Sequence, residues 1–254
     1  MTPREALARR RPSGHLPVMS ELDRSANAVT RADFDPHAVE VWIFDLDNTL
    51  YPASCNLFAQ VDARMSAFIQ DLLSLEPEEA RRVQKRYFVE HGTTLRGLMT
   101  HHRVDPEAFL AFVHDIDFSV VPAAPGLEAA LTRLAGRKLV FTNATVPYTE
   151  RVLARLGIAH HIEAIFDIVA AEYRPKPEPD SYHQLIAEHG IDPSRAVLVE
   201  DIARNLGPAA ALGMTTVWVP NAADWSHDGA DEGHVHHVAE DLAAWLEEVL
   251  GAPA

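Results

Sequence analysis

The chain has 254 residues, 47% of them hydrophobic, enough for a sizeable core in one or two domains. Its 22 basic and 37 acidic residues leave a net charge of −15, a poor match to a nucleic-acid polymer or an anionic membrane surface. The single cysteine, Cys55, excludes an intramolecular disulfide framework and a Cys-rich zinc site.

Residues 1–38 read as a mobile N-terminal tail. Arg9-Arg10-Arg11 is a basic run, and Pro12-Ser13-Gly14 a cluster of chain breakers. The acids Glu5, Glu21 and Asp23 argue against a transit peptide, and the stretch lacks the apolar centre of a secretory signal. No segment has the apolar length of a membrane span. The expectation is a soluble cytoplasmic protein, monomeric or homodimeric, that does not engage membranes.

The chain is organised around Val41-Trp42-Ile43-Phe44-Asp45-Leu46-Asp47-Asn48-Thr49-Leu50-Tyr51-Pro52. The first four residues, β-branched or aromatic, predict a buried strand. At its end stand two acids spaced i and i+2, which in extended backbone point to the same side. Two carboxylates facing one small volume repel each other unless a cation lies between them. Pro52 ends the regular element.

Helical spacing then takes over. Phe58, Val61, Met65, Phe68, Ile69, Leu72 and Leu73 share one helical face. Pro77-Glu78-Glu79 opens a second helix, which Gly92 ends. Thr93 or Thr94 caps a third through Met99, and Asp105-Pro106-Glu107 caps a fourth. Residues 54–115 therefore form an all-helical insertion directly after the acidic strand, a small second domain over the site.

Strands then alternate with helices. Strands are predicted at Lys138–Phe141, Ile165–Ala170, Ala196–Val199 and Thr215–Val219, the last of the clear ones. Helices are predicted at 127–134, 147–156, up to His189, up to Gly213, and 242–250. This pattern implies an α/β fold with a parallel, Rossmann-like sheet flanked by helices, built from residues 39–53 and 116–254. Polar groups follow four of the strands. They are Asp45, Asp47 and Thr49; Thr142 and Asn143; Lys176 in a proline-rich loop; and Glu200 with Asp201. In a parallel sheet all of these ends lie along one edge. Singly, each has a dull explanation: a helix cap, a solvated loop charge, an acidic turn. Together they offer carboxylates for a hard divalent cation, a hydroxyl and an amide for an anion, and one lysine. That is the equipment of Mg²⁺-assisted phosphoryl transfer.

Asp45-Leu46-Asp47-Asn48-Thr49 resembles motif I of the haloacid dehalogenase superfamily, Thr142 motif II, Lys176 motif III, and Glu200-Asp201 motif IV. The helical insertion resembles a type C1 cap. Phe44 to Pro52, Gly92-Thr93-Thr94-Leu95-Arg96-Gly97-Leu98 and Val113-His114-Asp115-Ile116-Asp117 resemble the pyrimidine 5′-nucleotidase-like branch. The resemblance implies Asp45 as nucleophile and Asp47 as general acid and base. It places Mg²⁺ on the Asp45 carboxylate, the Asp47 backbone carbonyl and the Asp201 carboxylate, with Glu200 in a supporting or water-mediated contact. Thr142, the backbone near Asn143, and Lys176 hold the phosphoryl oxygens. Asn205 orients Lys176 or Asp201. Substrate choice falls to the cap, where Tyr87 or Phe58 stacks on a base and Thr94 or Arg96 bonds its edge.

The resulting expectation is a Mg²⁺-dependent phosphomonoesterase acting through an aspartyl-phosphate on a small nucleoside 5′-monophosphate, pyrimidine-preferring. The alternatives are a phosphatase or mutase for a phosphosugar or other small ester, and a non-catalytic phosphate-binding regulatory module. Dehalogenases of this fold lack the second acid that Asp47 supplies, and no Walker-type phosphate loop is present. His234-Val235-His236-His237 reads as a solvated loop rather than a metal site. His101-His102 reads as a helix end, and Cys55 as a buried structural thiol.

Overall fold

The computed structural model describes residues 34–251. A wholly parallel sheet contains β1 (Val41–Phe44), β2 (Arg137–Phe141), β3 (Ala164–Phe166), β4 (Ala196–Glu200), β5 (Thr215–Trp218) and β6 (His237–Val238). Their order is β3-β2-β1-β4-β5-β6. β1 lies between β2 and β4, with Phe44 opposite Val140 on one side and Val199 on the other. The strand order reverses there, so a ligand crevice opens beyond the carboxyl end of β1.

All four β1 side chains are buried. Trp42 and Phe44 join one core with Val140, Val197 and Val199; Val41 and Ile43 join the other with Leu139, Phe141 and Leu198. Burying each such side chain contributes about 1.5–3 kcal/mol, which fixes β1 centrally and its carboxyl end at the crevice.

Five helices separate β1 from β2, and the first four form the insertion: α1 (Leu57–Leu73), α2 (Pro77–His91), α3 (Thr94–His102) and α4 (Pro106–Val113). Their starts follow capping chemistry. Thr93 Oγ1 accepts from Arg96 N at 3.2 Å, and Asp105 Oδ1 accepts from Glu107 N at 3.1 Å. α1 packs on α2 and α4, and α2 on α3. Gly97 permits the last contact: a β-carbon there would lie 2.4 Å from the Tyr87 ring. Beyond the insertion, α5 (Pro125–Arg133), α6 (Val146–Leu156) and α9 (Leu242–Leu250) cover one sheet face. α7 (Pro179–His189) and α8 (Ala203–Ala211) cover the other.

Three expectations change. The strand expected to reach Ala170 stops at Phe166, because Asp167 Oδ1 accepts from Val169 N (3.1 Å) and Ala170 N (2.8 Å) and folds the chain into a turn. The stretch at His234–His237 is a docked sheet edge, not a solvated loop. His237 is buried in β6, His234 Nε2 sits 2.8 Å from Ala203 O, and His236 Nδ1 accepts from Thr216 N at 3.1 Å. The expected tail lies outside the described residues through residue 33, but Phe34 already packs on the core, 4.8 Å from the His237 ring and 6.0 Å from Trp245.

Candidate active site

The polar residues at the strand ends converge. Asp45, Asp47, Thr142, Asn143, Lys176, Glu200, Asp201 and Asn205 all line one cavity of about 150 Å³ that also reaches the helical insertion. Lys176 is the centre of its charge. Its Nζ lies 2.6 Å from Asp45 Oδ1, 2.6 Å from Glu200 Oε2 and 2.9 Å from Phe141 O. An ammonium has three protons, so all three are engaged. The loop carrying Lys176 is held by Asn143, whose Oδ1 accepts from Lys176 N at 2.9 Å.

Burial opposes every charge here. Asp45 is pushed up to about 7, first by burial and then by the Glu200 charge, with Lys176 pulling the other way. Burial also raises Asp201 well above the carboxylate range, with Glu200 and Asp45 adding to it. For Lys176 burial alone would favour the neutral amine, but the Asp45 and Glu200 carboxylates more than offset it and hold the group above the usual lysine range. Asp45, Glu200 and Asp201 bring one carboxylate oxygen each within 4.8 Å of the others. With all three carboxyls ionised, as metal ligation would require, they and one ammonium carry a charge of 1 − 3 = −2 in a buried volume. A hard divalent cation with oxygen ligands fits that site in charge and in chemistry.

Thr49 Oγ1 donates to Asp45 Oδ2 at 2.9 Å, so both Asp45 oxygens are oriented. Asp47 is held differently. The chain turns after β1, with Asn48 at φ 60°, and Asp47 Oδ1 accepts from the phenols of Tyr51 and, at 2.7 Å, Tyr148. Asp47 Oδ2 makes no hydrogen bond among the described residues. Burial raises the Asp47 carboxyl, and the two phenols pull it back down. Burial and the Asp47 charge keep both phenols well above their usual range, so they remain neutral donors. Tyr148 in turn lies against the His114 ring, 4.4 Å between centroids. Burial lowers His114 to about 4, so it packs there as neutral imidazole.

Neither tyrosine stood out in the sequence, although Tyr51 lies four residues after Asp47 and Tyr148 in the first turn of the helix after Thr142. Asn221 was missed as well: its Nδ2 donates to Asp201 Oδ2 at 2.9 Å. That corrects the place expected for Asn205, whose side chain bonds neither Lys176 nor Asp201; its backbone O accepts from Tyr182 at 2.6 Å.

The insertion residues divide. Thr94 and Phe58 line the cavity. Tyr87 does not. It is buried between α2 and α3, with its hydroxyl 2.7 Å from His102 Nε2 and its ring stacked on His101, so it has no face for a base. Arg96 does not line the cavity either; its Nε lies 3.8 Å from Glu178 Oε1 in the loop after Lys176. Gly92, at φ +80°, rests on the same loop, 3.5 Å from Lys176 O when a β-carbon is placed on it. Cys55 is half-buried and packs against the core.

A family model described as haloacid dehalogenase-like hydrolase matches residues 39–213. Phosphate metabolism protein 8 of Saccharomyces cerevisiae is 27% identical over 249 residues, covering 91% of this chain and 71% of that protein. Glyceraldehyde 3-phosphate phosphatase of Methanopyrus kandleri is 29% identical over 198 residues, covering 70% of this chain and 83% of that protein. Among solved structures, a HAD phosphatase from Thermococcus onnurineus shares the fold, with a TM-score of 0.56 at 18% identity over 84% of this chain and 98% of that one.

Proposed function

Because the chain belongs to the haloacid dehalogenase-like hydrolases, we propose that it is a Mg²⁺-dependent phosphomonoesterase selective for pyrimidine nucleoside 5′-monophosphates. The observation that carries the hydrolytic part is Asp47, fixed by two phenols beside Asp45 in the same cavity. The name of one relative, the glyceraldehyde 3-phosphate phosphatase of Methanopyrus kandleri, supports phosphate-ester chemistry.

Asp45, the Asp47 carbonyl and Asp201 would hold Mg²⁺, which when bound offsets charge between the carboxylates and the phosphoryl group. Without such offset, each unit charge pair at about 4 Å and an effective dielectric near 20 costs about 4 kcal/mol. One carboxylate oxygen of Asp45 attacks phosphorus in line. The bond from phosphorus to the sugar oxygen breaks, and that oxygen takes its proton from Asp47. Since Asp47 Oδ1 is occupied by Tyr51 and Tyr148, the proton is carried on Oδ2. Asp47 Oδ2 then removes a proton from the water that attacks phosphorus, which releases phosphate and restores the Asp45 carboxylate. Thr142 and the backbone near Asn143 hold the phosphoryl oxygens. Lys176 has no spare proton, so it reaches the phosphoryl group only by giving up its bond to Asp45 Oδ1 as that carboxylate becomes esterified.

Residues 54–115 act as the cap that chooses the leaving group. Its share of the cavity wall is rich in apolar groups, among them Phe58, Val61, Met65, Phe109, Leu110 and Val113. Such a wall suits a base ring more than a polyhydroxylated sugar, and the resemblance of the cap stretch Gly92 to Leu98 to the pyrimidine 5′-nucleotidase-like branch favours a pyrimidine. The name of the Methanopyrus relative supports a second reading, a small phosphorylated sugar or aldehyde. A panel of phosphate monoesters assayed with Mg²⁺ separates the two. UMP and CMP should show higher kcat/KM than AMP, GMP, glyceraldehyde 3-phosphate or hexose phosphates. A phosphosugar that outperforms every nucleotide would overturn the pyrimidine assignment, and hydrolysis of no monoester would overturn the phosphatase assignment.

A further inference from the structure

Gln84 is the one polar side chain in the buried stripe of α2, which otherwise consists of Ala80, Val83 and Tyr87. It is 1% exposed and lines the active-site cavity from the cap side. Its Nε2 donates to Asp62 Oδ1 at 2.7 Å and to Asp62 O at 3.2 Å. Both partners are acceptors only, so the orientation of the amide is settled: the NH₂ faces α1. Asp62 is itself held by Lys85 Nζ at 2.6 Å, which locks the arrangement in place. Gln84 Oε1 is then left buried with no hydrogen-bond partner. A buried carbonyl oxygen without a donor is costly, and here it belongs to a residue on the wall of the substrate cavity, where a donor can arrive with the ligand.

We propose that Gln84 is the specificity-determining residue that reads the base, its Oε1 accepting from N3–H of uracil or from the N4 amine of cytosine. This rests on the pyrimidine-nucleotide reading and adds the group that recognises the base edge. Phe58, Leu95 and Phe109 line the same cavity and give the flat apolar surroundings in which a single unpaired N–H or C=O decides binding.

The test pairs substrates that differ only in that donor. kcat/KM is measured for UMP against N3-methyl-UMP, and for CMP against its 2-pyrimidinone analogue, which lacks the 4-amino group. Wild-type protein should lose roughly 10- to 100-fold on the donor-less member of each pair, the usual consequence of an unpaired buried acceptor. In Gln84→Met, which keeps the side-chain length and removes the acceptor, both ratios should fall to near one. Turnover of an aryl phosphate reports whether the variant is folded, and the wild-type comparison needs no substitution at all. If UMP and CMP lead the panel but each pair is hydrolysed equally by wild type, water satisfies Oε1 and Gln84 is not the reader. The same holds if the ratios persist in Gln84→Met. If hexose phosphates outperform both nucleotides, the pyrimidine reading falls and this inference with it.

Discussion

Replacing Lys176 with methionine removes the cation around which the site is assembled and keeps nearly the same side-chain length. The lysine side chain is 1% exposed, with Asp45 and Glu200 each 2.6 Å from its Nζ. Losing one partner of a buried ionic group typically costs about 3–5 kcal/mol, because the remaining charge is left uncompensated. At roughly 2–4 °C per kcal/mol for a chain of this size, Tm should drop by roughly 6–20 °C at pH 8 without metal. The sign of the pH dependence follows from linkage. Burial and like charge already push Asp45 up to about 7 and hold Asp201 well above its usual range. Without Lys176 both rise further, so the folded form keeps protons that the unfolded form releases. The deficit is therefore small at low pH, where the carboxyls are protonated in both states, and grows as pH rises through 7. Thermal unfolding of wild type and variant at pH 5 and pH 8, with and without Mg²⁺, measures it. Mg²⁺ should recover part of the lost Tm at pH 8. A Tm within about 2 °C of wild type at pH 8, or a larger deficit at pH 5 than at pH 8, would refute the reasoning.

Tyr148→Phe removes one of two donors to Asp47 Oδ1. A hydrogen bond to a charged group is worth about 1.5–3 kcal/mol, so kcat should fall roughly 10- to 100-fold with little change in KM. An unchanged kcat would show that Asp47 needs no second phenol. Chelation should silence the enzyme and Mg²⁺ should restore it, while Ca²⁺ should inhibit because its looser coordination misplaces nucleophile and phosphate. Full turnover in excess chelator is incompatible with the metal site described.

The sheet was legible because its strands carry strong local signals. Val41–Phe44 and Ala196–Glu200 are apolar runs, each ending in acids, and a parallel sheet aligns such ends without further information. β6 was not legible, since His237–Val238 is two residues long and is held by His234 and His236 through contacts far apart in sequence. The acids and Lys176 could be found because charge in a predicted buried edge demands explanation. The phenols on Asp47 could not, because a tyrosine in a turn and another in a helix carry no signal until the fold brings them together. Tyr87 was legible and misread: Ala80 and Val83 share its helical face, so the periodicity buries it within the insertion. Arg96 carries no such pattern, and its pairing with Glu178 depends on where the loop after Lys176 lies.

The central claim is that Asp45 carries the phosphoryl group between substrate and water. Protein mixed with substrate and Mg²⁺, quenched in acid within a single turnover and digested, allows the phosphoryl group to be located by mass spectrometry. The account predicts an acyl phosphate on the peptide containing Asp45, and neither that adduct nor turnover in Asp45→Asn. Wild-type turnover with the Asp45 peptide unmodified throughout, or substantial hydrolysis by Asp45→Asn, would contradict it.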